Sequence, residues 1–389
     1  MISKRSWPLF VVIALVLMRV EGAEARSPYK MEGSTYTSSK VCAACHGQIY
    51  DRWKSSRHAL SAENPIFKAA YLEAYKESAG GAKYLCLRCH APTTIVTRDY
   101  ELRKEITKEG VTCDFCHTVR KVDLNNSGNP FKIEPGLMKR STLRRASSPA
   151  HQTEYSELHD SSLLCAACHE YRTPDGLPIT STYSEWKNSP YPAEGKQCQY
   201  CHFPPLEGNV VLPIIKEAKG KFINEHRLAH STSDLKKAVK VEIAEVKRIR
   251  DRLRVLVKVT NAGSGHMVPT GLPSRKLVLQ VDVKTQKNQK KRISEIRESR
   301  IYQKVLVSED GKNLIRDSEI MLKRGRVTIA QDNRLAPRET RNEEFTFFVP
   351  SDLDLVVSAQ IDYLYRPLVL GETEMRVEMA RDEKLSPAF

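Results

Sequence analysis

Residues 42–46 read Cys42-Ala43-Ala44-Cys45-His46, and residues 165–169 repeat them as Cys165-Ala166-Ala167-Cys168-His169. The same CxxCH spacing recurs at Cys86/Cys89/His90, Cys113/Cys116/His117 and Cys198/Cys201/His202, so all ten cysteines fall in five pairs, each followed directly by a histidine. Two thiols three residues apart on one turn can add to the two vinyl groups along one edge of a haem. The next residue then projects its imidazole under the ring as the proximal iron ligand. A zinc site would want CxxC units converging in pairs, with histidine optional. A redox dithiol would appear once, beside a βαβ pattern. Five repeats with no cysteine left over therefore predict five covalently attached haems c.

Beyond the proximal His46, His90, His117, His169 and His202, six of the eleven histidines remain: His58, His151, His159, His226, His230 and His266. Six candidates for five sixth positions predict bis-histidine ligation at most or all of the irons. Methionine is the alternative ligand and raises haem potential; Met138 and Met267 stand at plausible places but rank below histidine. Of the six, His266 is the first to set aside.

The five motifs lie between residues 42 and 202. That is too little polypeptide for a conventional core around each haem, so the macrocycles must form much of the apolar interior, wrapped by short helices and loops. Asn64-Pro65 predicts a helix start, with Ile66, Phe67, Ala70, Tyr71, Ala74 and Tyr75 on one face and Gly80-Gly81 as its end. The segments around Cys42 and Cys165 are expected to be helical. Tyr50-Asp51-Arg52-Trp53 after the first motif resembles Tyr183-Ser184-Glu185-Trp186 after the fourth, with Tyr191 in the second copy where the first has His58. Partial duplication and a recurring helix solution for packing tryptophan on a haem account equally for this echo. Residues 120–150, with Lys139, Arg140, Arg144 and Arg145, read as a long basic surface loop.

From about Leu235 the pattern changes to period-2 alternation: Val239, Val241, Ile243; Leu253, Val255, Val257, Val259; Leu277, Leu279, Val281, Val283; Phe345, Phe347, Val349; and Leu355, Val357, Ala359, Ile361, Tyr363. Such runs separated by turn residues predict an antiparallel β-sandwich, and it has no cysteine to hold a haem. The expected class is thus α + β in two domains, a helical and loop-rich pentahaem cytochrome domain over 26–235 and an all-β domain over 236–389.

The N-terminus places Lys4 and Arg5 before an apolar run from Leu9 to Met18, and Ala23-Glu24-Ala25 supplies the small residues of a cleavage site. The run is too short to span a bilayer. Residues 1–25 read as a signal peptide, which predicts an exported protein, periplasmic or at the cell surface, with no integral membrane segment. A composition of 40% hydrophobic and 28% charged residues excludes a polytopic membrane protein and a wholly disordered chain. The net charge is +15, and +14 without the three basic and two acidic residues of the signal segment. Ionised propionates offset part of it, and the remainder can steer acidic partners at low salt. Nucleic acid is not an expected partner, because no recognition motif accompanies the charge and the compartment is wrong.

Several stretches carry a family likeness: CAACHGQIYDRWKSSRHA from Cys42 to Ala59, CLRCHAP from Cys86 to Pro92, GVTCDFCH from Gly110 to His117, and His151 to Glu170 ending LLCAACHE. YSEWKNSPYPAEGKQCQYCH from Tyr183 to His202, and GHMVPTG within Asn261 to Arg275, extend it. The chain resembles multihaem c-type cytochromes related to the tetrahaem electron acceptor of hydroxylamine oxidation. The resemblance implies an immunoglobulin-like sandwich after the haem domain and a role in respiratory electron transfer. It also implies that His58, in the W-x-x-S-x-H-A stretch, is a distal ligand, and it puts GHMVPTG at the start of the sandwich, where His266 is either structural or reaches back to a haem.

Two functions follow. In the first, single electrons pass through five mostly bis-histidine haems in an anaerobic respiratory chain. Redox proteins, membrane quinol-linked or other cytochromes, are then the partners, and a place in a larger assembly, oligomer or filament is compatible with this. In the second, one haem is left open and the protein reduces a small nitrogen or sulfur compound such as nitrite, hydroxylamine or tetrathionate. The supply of histidines favours the first.

Overall fold

The computed structural model describes residues 35–126, 128–173, 176–213, 222–228, 232–287, 291–314, 316–322, 325–365 and 374–388; residues 1–25, read as a signal peptide, and His230 lie outside them. The chain is α + β, with short helices and hairpins first and two antiparallel sheets after them. Helix Pro65–Glu77 starts as its sequence predicts: the Asn64 side chain accepts from the N–H groups of Ile66 and Phe67. Tyr71 and Ala74 are buried on its inner face, whereas Tyr75, expected beside them, is exposed.

Four motifs sit on single helices: Ala82–His90, Cys113–Thr118, Leu163–His169 and Cys198–His202. The first does not. Helix Ser39–Ala43 ends inside it and Gly47–Trp53 begins directly after His46. The Cys45 carbonyl accepts from the Leu212 N–H at 2.8 Å, a contact from beyond the fifth motif that replaces helical continuation.

Residues 120–150 carry three short strands between turns, which corrects in part the expectation of one long surface loop; Arg144 and Arg145 are exposed as expected. Val119–Val122 pairs with Phe131–Ile133, and Met138–Ser141 pairs in parallel with Gln152–Tyr155. Two of the basic residues turn inward. The Lys139 ammonium meets the buried Asp114 carboxylate, and Arg140 bonds Glu134 and, at 2.7 Å, Glu154. A carboxylate buried at that depth needs a cation, and nothing in the spacing of the sequence reveals that Asp114 points inward.

The duplicated stretches superpose in their contacts. Tyr50 and Trp53 lie 5.7 Å apart at 39°, and Tyr183 and Trp186 lie 5.6 Å apart at 36°. Each indole N–H donates to a backbone carbonyl at 2.9 Å, Trp53 to Val111 and Trp186 to Lys196. Each copy also places a serine three residues before its first cysteine, and that hydroxyl accepts the N–H of a later motif: Ser39 from Cys113 and Ser162 from Cys198. The matched hydrogen bonds extend the likeness beyond tryptophan packing.

The second half holds strands β1 (Val239–Ile249), β2 (Arg252–Asn261), β3 (Arg275–Thr285), β4 (Ile296–Tyr302), β5 (Thr340–Phe348), β6 (Leu355–Tyr365) and β7 (Met375–Ser386). They form two sheets ordered β5-β2-β1 and β4-β3-β6-β7. Their inward residues share one core, in which Leu253, Val257, Val259, Leu277, Leu279, Val281, Val283, Leu355, Val357, Ala359 and Ile361 are wholly buried. Every residue of the alternations read in the sequence is buried in this core except Val241 and Tyr363, which are partly buried and pack against it.

Between β4 and β5 the chain inserts a three-stranded sheet (Lys304–Ser308, Asn313–Leu314, Val327–Asp332) and helix Asp317–Leu322. Leu306, Leu314, Ile320 and Val327 bury against Ile179, and Leu322 packs with Tyr71, Ala74 and Leu87. Glu73 bonds Arg316 at 2.5 Å and Ser318 at 2.6 Å. Deeper in the same interface, Glu185 accepts from Arg334 and from Thr270 at 2.6 Å each. Both partners of the Glu185–Arg334 pair are nearly inaccessible, so removing either would strand a buried charge.

Candidate functional site

The motif helices bring each CxxCH pair of thiols to one side of a turn, and tertiary packing then gathers the motifs. The Cys42 and Cys113 thiols meet, as do those of Cys165 and Cys198, and those of Cys89 and Cys168. Cys116 adjoins both Cys165 and Cys168. The fourth motif therefore stands at the centre, touching the second, third and fifth.

Two imidazoles on opposite faces of one iron have ring centres roughly 6 Å apart, given a metal–nitrogen distance of about 2 Å. Three histidine pairs stand at that separation: His46 with His151 at 6.2 Å, His58 with His169 at 6.2 Å, and His117 with His159 at 5.6 Å. Each joins a proximal histidine to one of the six spare ones. His266 is enclosed by protein beside His202 and His169, whose imidazoles both feel its charge. It thus stands among the haem motifs rather than apart from them. Gly265 beside it lies against Trp186 and Tyr191, so the sandwich turn delivers His266 where the second copy lacks a counterpart of His58. His90 differs. Its ring is stacked on Phe67 at 3.8 Å, and the spare histidine it senses is His58, already paired with His169. His226 packs edge-on to Phe203.

The second ring nitrogen decides which way an imidazole faces. Nδ1 lies against a backbone carbonyl in His46 (Val210, 2.6 Å), His90 (Ser61, 3.2 Å), His117 (Arg140, 2.6 Å), His151 (Gln152, 2.9 Å), His226 (Asn224, 2.7 Å) and His266 (Met267, 2.9 Å). With Nδ1–H donated in this way, the Nε2 lone pair is the one presented to a metal. His159 departs from the pattern, with Nδ1 on Ser156 Oγ and Nε2 on the Cys116 carbonyl, 2.9 Å each. Burial pushes His58, His90, His159 and His226 down to about 4 and His169 to about 3. All are held in the neutral form that can ligate iron. Thiols on helical turns, anchored imidazoles and iron-spanning pairs fit haem c, which supplies one-electron redox chemistry when bound.

Residues 41–118, which contain three of the five motifs, match the family model for cytochrome c554 and c-prime. Together with the five CxxCH motifs, this match supports a multihaem c-type cytochrome. The fold of this cytochrome is similar to that of a penta-heme cytochrome c552 from Thermochromatium tepidum, with a TM-score of 0.68 and 22% identity over 90% of this chain and 99% of the other. A beta-glucosidase from Kluyveromyces marxianus aligns with 38% of the cytochrome and 14% of its own chain, at 10% identity and a TM-score of 0.18, too low to carry an argument. No curated protein matches the sequence. The match supports covalently bound haem c and, in general, electron transfer. Among the described residues no helix is long and apolar enough to cross a membrane.

Sequence reasoning missed Phe67 against His90, the Asp114–Lys139 pair, and Ser39 and Ser162. The two serines were legible in principle, since S-x-x-C-A-A-C-H occurs in both copies.

Proposed function

We propose that this cytochrome is an exported electron carrier that holds five haems c and passes single electrons between redox proteins of an anaerobic respiratory chain. The three iron-spanning histidine pairs carry the reading, because histidine on both faces leaves no coordination site for a substrate. The proposed axial pairs are His46/His151, His169/His58, His117/His159 and His202/His266, with His90 proximal to the fifth iron. His226 and His230 are the other candidate ligands. The haem domain spans 26–235 and the β domain 236–389. The sheet orders β5-β2-β1 and β4-β3-β6-β7 support an immunoglobulin-like sandwich.

A second reading rests on Phe67. His90 stacks on Phe67, and among the described residues no spare histidine is paired with it as with His46, His117 and His169. That haem would therefore be the one to remain open, which would suit a reductase of nitrite, hydroxylamine or tetrathionate. Electron paramagnetic resonance and carbon monoxide titration of the oxidised and reduced holoprotein decide between them. The carrier should show only low-spin iron and bind no carbon monoxide. A high-spin haem that binds one equivalent, with enzyme-like turnover of those compounds, would replace it by the reductase.

A further inference from the structure

Arg275 opens β3, in register with Tyr365 of β6, and its guanidinium lies 5.7 Å from the Tyr365 ring centre. The side chain is crowded by protein on all sides yet keeps part of its surface accessible, as at the bottom of a crevice. Nη1 donates to the Thr270 carbonyl at 3.1 Å, and Nε has no partner. Among the described residues no carboxylate stands within ion-pair distance of it. The acid that feels it, Asp317, is buried, accepts from the Tyr365 hydroxyl at 3.0 Å, and is held above the usual carboxylate range by that burial. An enclosed cation without an anion is costly.

The placement is specific. Gly271 has φ +89°, and a Cβ there would fall 2.2 Å from Arg275 Nη1, so only glycine lets the guanidinium fold back over the turn. At this end of β3 its charge is felt by His90 and His169 of the haem motifs. Those two motifs adjoin through Cys89 and Cys168. A haem carries two propionate carboxylates on the edge away from its vinyl groups, and an arginine fork matches a carboxylate in a bidentate manner.

We propose that Arg275 receives propionate carboxylates of the haems held by the His90 and His169 motifs, so that the β domain supplies a fixed positive charge to the redox centre. The proposal rests on haem attachment at those motifs, not on whether the protein is a carrier or a reductase. A positive charge there stabilises the reduced state. In the holoprotein, with five haems verified by mass, R275Q should lower the potential of one or two couples by at least tenfold in their reduction equilibrium, about 59 mV for one electron. R275K should restore most of that, because it keeps the charge. Five unchanged potentials in R275Q overturn the proposal. Should R275Q fail to mature, the wild-type holoprotein crystal structure decides: a propionate oxygen about 3 Å from the guanidinium is expected, and propionates directed elsewhere overturn it. Carbon monoxide binding in the wild type would change the functional reading and leave these outcomes untouched.

Discussion

His58 is held through its backbone. Its carbonyl accepts from the Val111 N–H at 3.0 Å and from the Ser61 hydroxyl at 2.8 Å. Gly110, at φ +67°, brings the chain so close that a Cβ would fall 2.5 Å from that carbonyl oxygen. Gly110→Ala should therefore destabilise the protein by about 1–3 kcal/mol and displace His58 from His169, which thermal unfolding and a new high-spin signal would register. His58→Ala is the direct test of the pair. It should leave all five haems attached, open one of them, and produce stoichiometric carbon monoxide binding at that haem. A variant that remains fully low-spin would show that another group, not His58, faces His169.

The insertion between β4 and β5 is the element that ties the domains, and Lys304 is its buried cation. Its ammonium donates to the Ile179 carbonyl at 2.9 Å and the Pro178 carbonyl at 3.3 Å. Burial and then Arg334 lower it from 10.5 to about 8, against the attraction of Glu185, Asp332 and Glu170. Because the folded value lies below the unfolded one, the unfolded chain binds the extra proton between about pH 8 and 10.5. Stability should therefore rise with pH across that window, by up to about 1.4 kcal/mol per unit. Lys304→Met should remove that rise. Thermal midpoints at pH 8, 9 and 10 check it, and parallel profiles for the two proteins would contradict it.

At the scale of the whole molecule the two halves differ in what completes their cores. The sandwich closes on its own side chains, from Leu253 and Leu277 to Ile361, so residues 236–389 expressed alone should be soluble and β-rich by circular dichroism. The insertion in that fragment would lose Ile179, Tyr71 and Leu87, and its amides should exchange fast while those of β2, β3 and β6 stay protected. A disordered fragment would mean that the boundary at 236 is misplaced. The haem half should not fold without its cofactor. Its intact mass should exceed the polypeptide by five haem masses with no free thiol, and a host lacking cytochrome c maturation should yield little folded protein.

Chemistry written into contiguous residues was legible in the sequence alone. CxxCH places two thiols and an imidazole on one turn, and period-2 alternation places Leu277, Leu279, Val281 and Val283 on one face, because both depend on backbone geometry over a few residues. The helix start at Asn64 was legible for the same reason. Partnership between distant residues was decided only by tertiary structure. That His151 faces His46, that Lys139 turns in to Asp114, and that His266 and Arg275 come near enough for His169 to feel them depend on contacts more than 20 residues apart in the chain. Local spacing carries no information about such pairs, and what selects them is the energy of leaving a charge or an imidazole buried without a partner.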